Sequence, residues 1–228
     1  MGPVVGLQSI PYPSVCAYIL NYTLAFFDIN LYNRAVIGVF LDTETNGLNS
    51  QIHRIVEIAI KLVDLASGEL KEEYQAVIAQ PIESWEKSDP ESLRINGFTW
   101  QEVSKGKSPS HVAQDIINCF ARHGVQRKKA VFICQNPSFD RVFFSSLIDP
   151  NAQESLKWPY HWLDLASMYW ALMIKGKGPL PWETGFSKDL IASQYKLPGE
   201  AKPHRAMNGV SHLLLCYEAV VGFPLRTH

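Results

Sequence analysis

The stretch Ala35-Val36-Ile37-Gly38-Val39-Phe40-Leu41-Asp42-Thr43-Glu44-Thr45-Asn46-Gly47-Leu48 decides how the rest of the chain is read. Its first seven residues form an apolar run with β-branched and aromatic members, the composition of a buried strand. Asn46-Gly47 is a turn signal that ends the run. Between run and turn lie Asp42 and Glu44. Residues two apart on a strand project to the same face, so both carboxylates can address one point beside the strand end. Taken alone, such a pair is most simply two solvated acids in front of a turn.

Downstream, residues 54–64 alternate in their later part and place Val56, Ile58, Ile60 and Leu62 on one face. Ser67-Gly68 is a turn signal, and residues 69–79 read as the next strand of a meander. Residues 81–89 read as a polar loop, followed by short helices at 90–95 and 99–104. Ser108 can cap a helix with Pro109 in its first turn and Val112, Ile116, Ile117 and Phe120 on one face, ending at His123-Gly124. A strand at 130–134 and a helix at 139–147 come next, the latter apolar at Phe139, Val142, Phe143 and Leu147. A short strand at 160–163 precedes a helix at 164–173. A Gly/Pro-rich loop at 175–186, a helix from Ser187 to 195 and a last helix from His204 or Asn208 to 221 complete the pattern. Meander, helix, strand, helix, strand and terminal helices predict an α/β domain with a mixed sheet.

The totals set bounds on this reading. A chain of 228 residues with 46% apolar content suits one domain with a real core. A formal net charge of −1 exerts no global pull on nucleic acid, which leaves that task to local charge or bound ions. Cys16, Cys119, Cys134 and Cys216 are scattered with no C-x-x-C pair, so a disulfide or zinc framework is not expected and a reducing compartment is. No apolar run reaches the roughly 18–20 residues of a membrane span. The expectation is a cytoplasmic protein with no membrane partner. Residues 1–34 are rich in Pro, Tyr, Leu and Phe and nearly uncharged. They read as an N-terminal extension, either a packing helix or a leader of little function, ahead of a domain at 35–228.

Two further patches join the first. Asn136-Pro137-Ser138-Phe139-Asp140 follows the apolar run 130–134, and His204-Arg205-Ala206-Met207-Asn208-Gly209 opens the last helix. Singly these too are ordinary: an acid favoured at a helix start by the macrodipole, and a helix-start histidine. In combination and in this order they are specific. Carboxylates gathered at strand ends can hold two divalent cations, and a histidine beside them can take a proton from water, the elements of phosphodiester hydrolysis.

The three patches closely resemble the DEDDh subgroup of the DnaQ-like 3′–5′ exonucleases, from about Val36 to Val221. Arg54-Ile55-Val56-Glu57-Ile58, Ile95-Asn96-Gly97-Phe98-Thr99 and Asp164-Leu165-Ala166 are lesser echoes. The resemblance implies an RNase H-like mixed five-stranded sheet flanked by helices. It also implies a site using Mg2+ or Mn2+ as a pair, with Asp42, Glu44 and Asp140 as metal ligands and His204 as general base. Thr43, Thr45, Leu48, Asn136 and Phe139 would contact substrate, with Leu48 wedged against the terminal base. The implied partners are single-stranded DNA or RNA 3′ ends, the products nucleoside 5′-monophosphates, and a homodimer occurs in parts of the family.

One position departs from the pattern. The family has His, four residues, then Asp; from His204 this count reaches Gly209, with the neutral Asn208 one residue early. An amide offers a dipole where a carboxylate offers a full charge, so one ion of the pair would be held poorly and hydrolysis impaired. Three outcomes stay open: activity with fewer ligands and a preference for manganese, replacement by another group of which Asp164 is the nameable one, or nucleic-acid binding or a scaffold role without catalysis. On this reading an aspartate at Gly209 would complete the set. Among the tryptophans at 100, 158, 162, 170 and 182, Trp182 in the Gly/Pro-rich loop is the best base-stacking candidate. Arg127-Lys128-Lys129 reads as a solvated turn.

Overall fold

The computed structural model describes residues 36–226; the predicted extension at 1–34 lies outside the described residues. Strand β1 (Ile37–Thr45) runs past the apolar stretch and includes Asp42 and Glu44. It pairs antiparallel with β2 (Ile55–Asp64), which pairs antiparallel with β3 (Leu70–Val77). On its other edge β1 pairs in parallel with β4 (Ala130–Cys134), and β4 with β5 (Trp162–Asp164). The result is a mixed five-stranded sheet in the order β3-β2-β1-β4-β5.

The helices that matter for the site follow local signals. Asp89 caps α2 (Pro90–Asn96) after a single-turn α1 (Ile82–Trp85) within the segment read as loop, and Gly97 ends α2 in the left-handed region at φ 69°. Thr99 and Glu102 form a capping box on α3 (Trp100–Val103). Ser108 accepts from His111 N at the head of α4 (Pro109–Arg122). α5 (Pro137–Leu147) starts directly after β4, and a short α6 (Pro150–Ser155), which the sequence pattern did not reveal, starts at the Asp149 cap. α7 (Leu165–Gly176), α8 (Pro181–Thr184), α9 (Lys188–Gln194) and α10 (Ala206–Val220) complete the described chain.

The sheet is buried on both faces. Val39, Leu41, Ile58, Ile60 and Leu62 pack on one side against Val112, Ile116 and Phe120 of α4 and Phe143 and Phe144 of α5. Phe40, Ala59, Val63 and Ile133 pack on the other against α7, α9 and α10. β2 therefore has two buried faces where its alternation suggested one. α5 also presents a different face from the one expected: Phe143 and Phe144 are buried, whereas Val142 is half exposed. Each buried aromatic contributes about 2–3 kcal/mol by leaving water, which fixes the helix orientation more strongly than the periodicity of the flanking residues. No helix among the described residues is long and apolar enough to cross a membrane.

Candidate active site

β1 meets β4 only from Ile37 to Phe40. Beyond that point β4 gives way to α5, and the last residues of β1 continue with β2 alone on one edge. Strand ends that diverge in this way open a crevice. Asp42 and Glu44 stand on the face shared with Phe40, toward α9 and α10. Asp140, in the first turn of α5, is buried; its Oδ1 accepts from Thr43 N (3.1 Å) and Thr43 Oγ1 (2.8 Å). These bonds fix one Asp140 oxygen and leave the other for a ligand. Asn136 takes up the left-handed conformation at φ 57° ahead of Pro137, which asparagine tolerates well.

His204 lies in the coil before α10. Its Nδ1 is 3.0 Å from Glu200 Oε1. A carboxylate oxygen accepts, so His204 donates from Nδ1 and turns Nε2 away from Glu200. Glu200 is a functional candidate that sequence reading missed. Its side chain is 4% exposed, and its other oxygen lies 3.0 Å from Lys188 Nζ. Lys188 was missed as well. Its ammonium also reaches Asp42 Oδ1 at 3.1 Å and the Gly209 carbonyl at 3.3 Å. Neither residue belongs to a short motif. They meet because α9 and the coil at 195–205 fold over the β1 end, with Glu200 N donating to Asp189 Oδ1 (3.0 Å). His212 of α10 donates from Nε2 to the Pro198 carbonyl (3.1 Å), which leaves its buried Nδ1 3.7 Å from Glu200.

Gly209 stands directly against Asp42. A Cβ built there would overlap the carboxylate, with Asp42 Cγ 2.6 Å away. The position thus leaves no room for a side chain while Asp42 keeps its place.

The electrostatics are those of crowded acids. Burial first, and then the Asp42, Glu200 and Glu57 charges, push the Glu44 carboxyl up to about 8. Burial and the Asp42 charge push Asp140 to about 8 against the two Thr43 bonds. Asp42 is raised by burial, with Lys188 opposing. Desolvation lowers the Lys188 ammonium, but the Asp42 and Glu200 charges outweigh it and leave its pKa raised. Carboxylates this short of positive charge suit a divalent cation, which prefers oxygen donors. Among the described residues no three His, Cys, Asp or Glu side chains already converge as a cage. One oxygen each of Asp42 and Glu200 is already paired with the Lys188 ammonium.

The substrate-contact candidates line the same end of the sheet. Thr45 Oγ1 donates to the Gly47 carbonyl (2.8 Å). The loop beyond it is held by fully buried Asn46, whose Nδ2 donates to Ser84 O and Ser88 Oγ while its Oδ1 accepts from Arg54 N. A side chain at Gly47 would overlap the His53 ring, so the loop packs there as bare backbone. This loop presents Leu48, 76% exposed. Phe139 packs against Phe143 (4.9 Å between rings), and Asn136 Oδ1 accepts from Ser138 Oγ (2.6 Å). A groove of about 400 Å³ beside His204 is lined by Arg94, Ile95, Lys202 and Pro203. Trp182 is 56% exposed and leans on Trp170 at 5.4 Å. A second hollow, between Arg127, Arg141 and Trp158, contains none of the acidic site residues.

Asp164 does not fill the vacant ligand position. It caps α7, accepting from Ala166 N and Ser167 N, and holds Asn136 N at 3.0 Å. Asp164→Ala is expected to lower stability by ~1–2 kcal/mol, the usual loss of a helix cap. Urea unfolding would measure this, with divalent-ion binding to the folded protein unchanged.

The Exonuclease family model of the RNase T type matches residues 39–211. Ribonuclease T of Actinobacillus pleuropneumoniae serotype 5b (strain L20) is 26% identical over 141 residues, covering 59% of this chain and 64% of that protein. Ribonuclease T of Histophilus somni (strain 129Pt) is 28% identical over 124 residues, 51% of this chain and 56% of that one. The chain therefore spans less than two thirds of the length of either relative. Among solved structures, E. coli Exonuclease I in complex with a dT13 oligonucleotide superposes with a TM-score of 0.64 at 20% identity, over 81% of this chain and 41% of that one. A full-length 3′-exonuclease gives 0.61 at 13% identity, over 80% and 59%. At these identities the likeness is one of fold.

Proposed function

Because this chain belongs to the exonuclease family that includes ribonuclease T, we propose that it trims single-stranded nucleic acid from the 3′ end in a metal-dependent reaction, releasing nucleoside 5′-monophosphates. The observation that carries this reading is the approach of Asp42, Glu44, Asp140 and His204 to one end of β1 from three distant parts of the chain. Asp42, Glu44 and Asp140 would hold a divalent ion, Mg2+ or Mn2+, which when bound polarises a phosphoryl oxygen and makes water a better nucleophile.

The protein groups then have distinct tasks. Glu200 holds His204 by Nδ1, which presents Nε2 as the acceptor for a proton from water. Thr43 holds Asp140 by backbone and hydroxyl at once, so that carboxylate enters the site in a single orientation. Leu48, exposed at the loop tip, would offer an apolar surface to the terminal base, and Phe139 and Asn136 would add further substrate contacts. Lys202, beside His204, offers positive charge at the groove for a backbone phosphate, while Arg94 is paired with Glu91.

The test is incubation with 3′-labelled short single-stranded RNA and DNA in magnesium and in manganese. The expected result is stepwise shortening that falls by at least ~1000-fold in Asp140→Ala, the scale set by losing a metal ligand. Intact substrate with either ion, together with retained binding, would instead favour a nucleic-acid-binding role, the reading to which Gly209 lends weight.

A further inference from the structure

Lys188 places an ammonium where a metal cluster would place a cation. Its Nζ is surrounded by Asp42 Oδ1 (3.1 Å), Glu200 Oε2 (3.0 Å) and the Gly209 carbonyl (3.3 Å). An ammonium has three hydrogens, and here three oxygens receive them. The side chain is 14% exposed, so the pair works in a poorly hydrated setting. The group is also anchored at both ends. Lys188 is the first residue of α9 behind the Ser187 cap, and the coil bearing Glu200 is bonded to the next residue, Asp189.

Gly209 and Lys188 form one arrangement. A Cβ at 209 would overlap the Asp42 carboxylate whose oxygen Lys188 holds. The position that lacks an acid is therefore the position whose bare backbone offers a carbonyl to the ammonium. Paired-ion nuclease sites set their ions about 3.5–4 Å apart. A dication cannot share the Asp42, Glu200 and Gly209 oxygens with an ammonium already bonded to all three.

We infer that Lys188 is a tethered cation standing in for one of the two divalent ions of a paired-ion nuclease site, so that the chain binds one ion and not two. The inference rests on the reading of this site as a metal-dependent nuclease centre, but its test does not depend on cleavage.

The experiment counts manganese bound to the full chain by equilibrium dialysis and follows it by electron paramagnetic resonance. Wild type is expected to bind one Mn2+ with the spectrum of an isolated ion. Lys188→Met, and Lys188→Gln as a second neutral variant, are expected to bind two with a spin-coupled signal. Melting curves confirm that the variants are folded, and the wild-type count decides the matter even where one is not. Two coupled ions in wild type, or a single ion in both folded variants, would overturn the inference and leave the nuclease reading intact. One ion in wild type and two in the variants, with no cleavage of RNA or DNA, would support the inference and remove the nuclease reading. No bound ion in wild type would overturn both.

Discussion

Glu44→Gln is expected to reduce hydrolysis by at least ~1000-fold and, at the same time, to stabilise the ion-free protein above neutral pH. The two effects have one cause. In the folded protein the Glu44 carboxyl is raised to about 8 from an ordinary 4.5, by burial first and then by neighbouring carboxylates. Between those values the folded state keeps a proton that the unfolded chain has released. Stability is therefore intact below about 4.5 and declines as pH rises toward 8. The loss at pH 8 is on the order of 2–4 kcal/mol, after allowing for the partial solvent access of the group. Asp140, raised to about 8, acts in the same sense.

Glutamine at 44 keeps the shape and removes the charge, so its melting temperature should vary less between pH 5 and pH 8. Saturating Mn2+ should flatten the wild-type curve in the same way by supplying positive charge. Melting at pH 5, 6.5 and 8, with chelator and with manganese, tests all of this. A wild-type protein that grows more stable across that window without ions would contradict the assignment.

Gly209→Asp is expected to fail as a repair. The sequence alone suggests that an aspartate there completes the ligand set and restores hydrolysis. The structure reverses the expectation, because the new Cβ overlaps Asp42 and the new carboxylate enters an already crowded group of acids. Overpacking costs about 1–3 kcal/mol, and uncompensated charge adds to it. The variant should melt at lower temperature and cleave no faster than wild type. Combining it with Lys188→Met removes the ammonium paired with Asp42 and Glu200, so without added ions the double variant should melt lower than Gly209→Asp alone, and saturating Mn2+ should recover part of the loss. Melting curves and cleavage of a 3′-labelled oligonucleotide distinguish these outcomes. Faster cleavage by the single variant would show that Asp42 yields easily and that the packing described above is not a constraint.

The sheet was legible in the sequence because its strands carry their own signals: the apolar runs at 37–41 and 130–134, the turn at Ser67-Gly68 and the Asn-Gly after Thr45. Capped helices such as the one from Ser108 were legible for the same reason. The buried face of α5 was not, because Val142 and Phe144 are both apolar and only the neighbouring Trp158 and Trp162 determine which turns inward. Asp42, Glu44, Asp140 and His204 could be picked out by their order and spacing. Glu200 and Lys188 could not, since they lie outside those patches and reach the site through tertiary packing of a coil and a short helix. The consequence of Gly209 was hidden for a related reason. A missing side chain shows in sequence as a lost ligand, whereas what takes up the space depends on residues many positions away.

The bond from Ala206 N to the buried Glu57 carboxylate (2.7 Å) spans 149 positions, and Glu57 is itself held by Gln75 Nε2. It fixes the start of α10, and with it Gly209, to β2 directly beside the Glu44 end of β1. Contacts of such separation close late, after local hairpins such as β1-β2-β3 have formed. During synthesis the strand bearing Asp42 and Glu44 thus emerges and pairs long before Lys188, Glu200 and His204 exist to meet it. A chain truncated before Ala206 would keep all five strand segments and every acid of the site, and would lose the helix that covers Phe40, Ala59 and Val63 beside them.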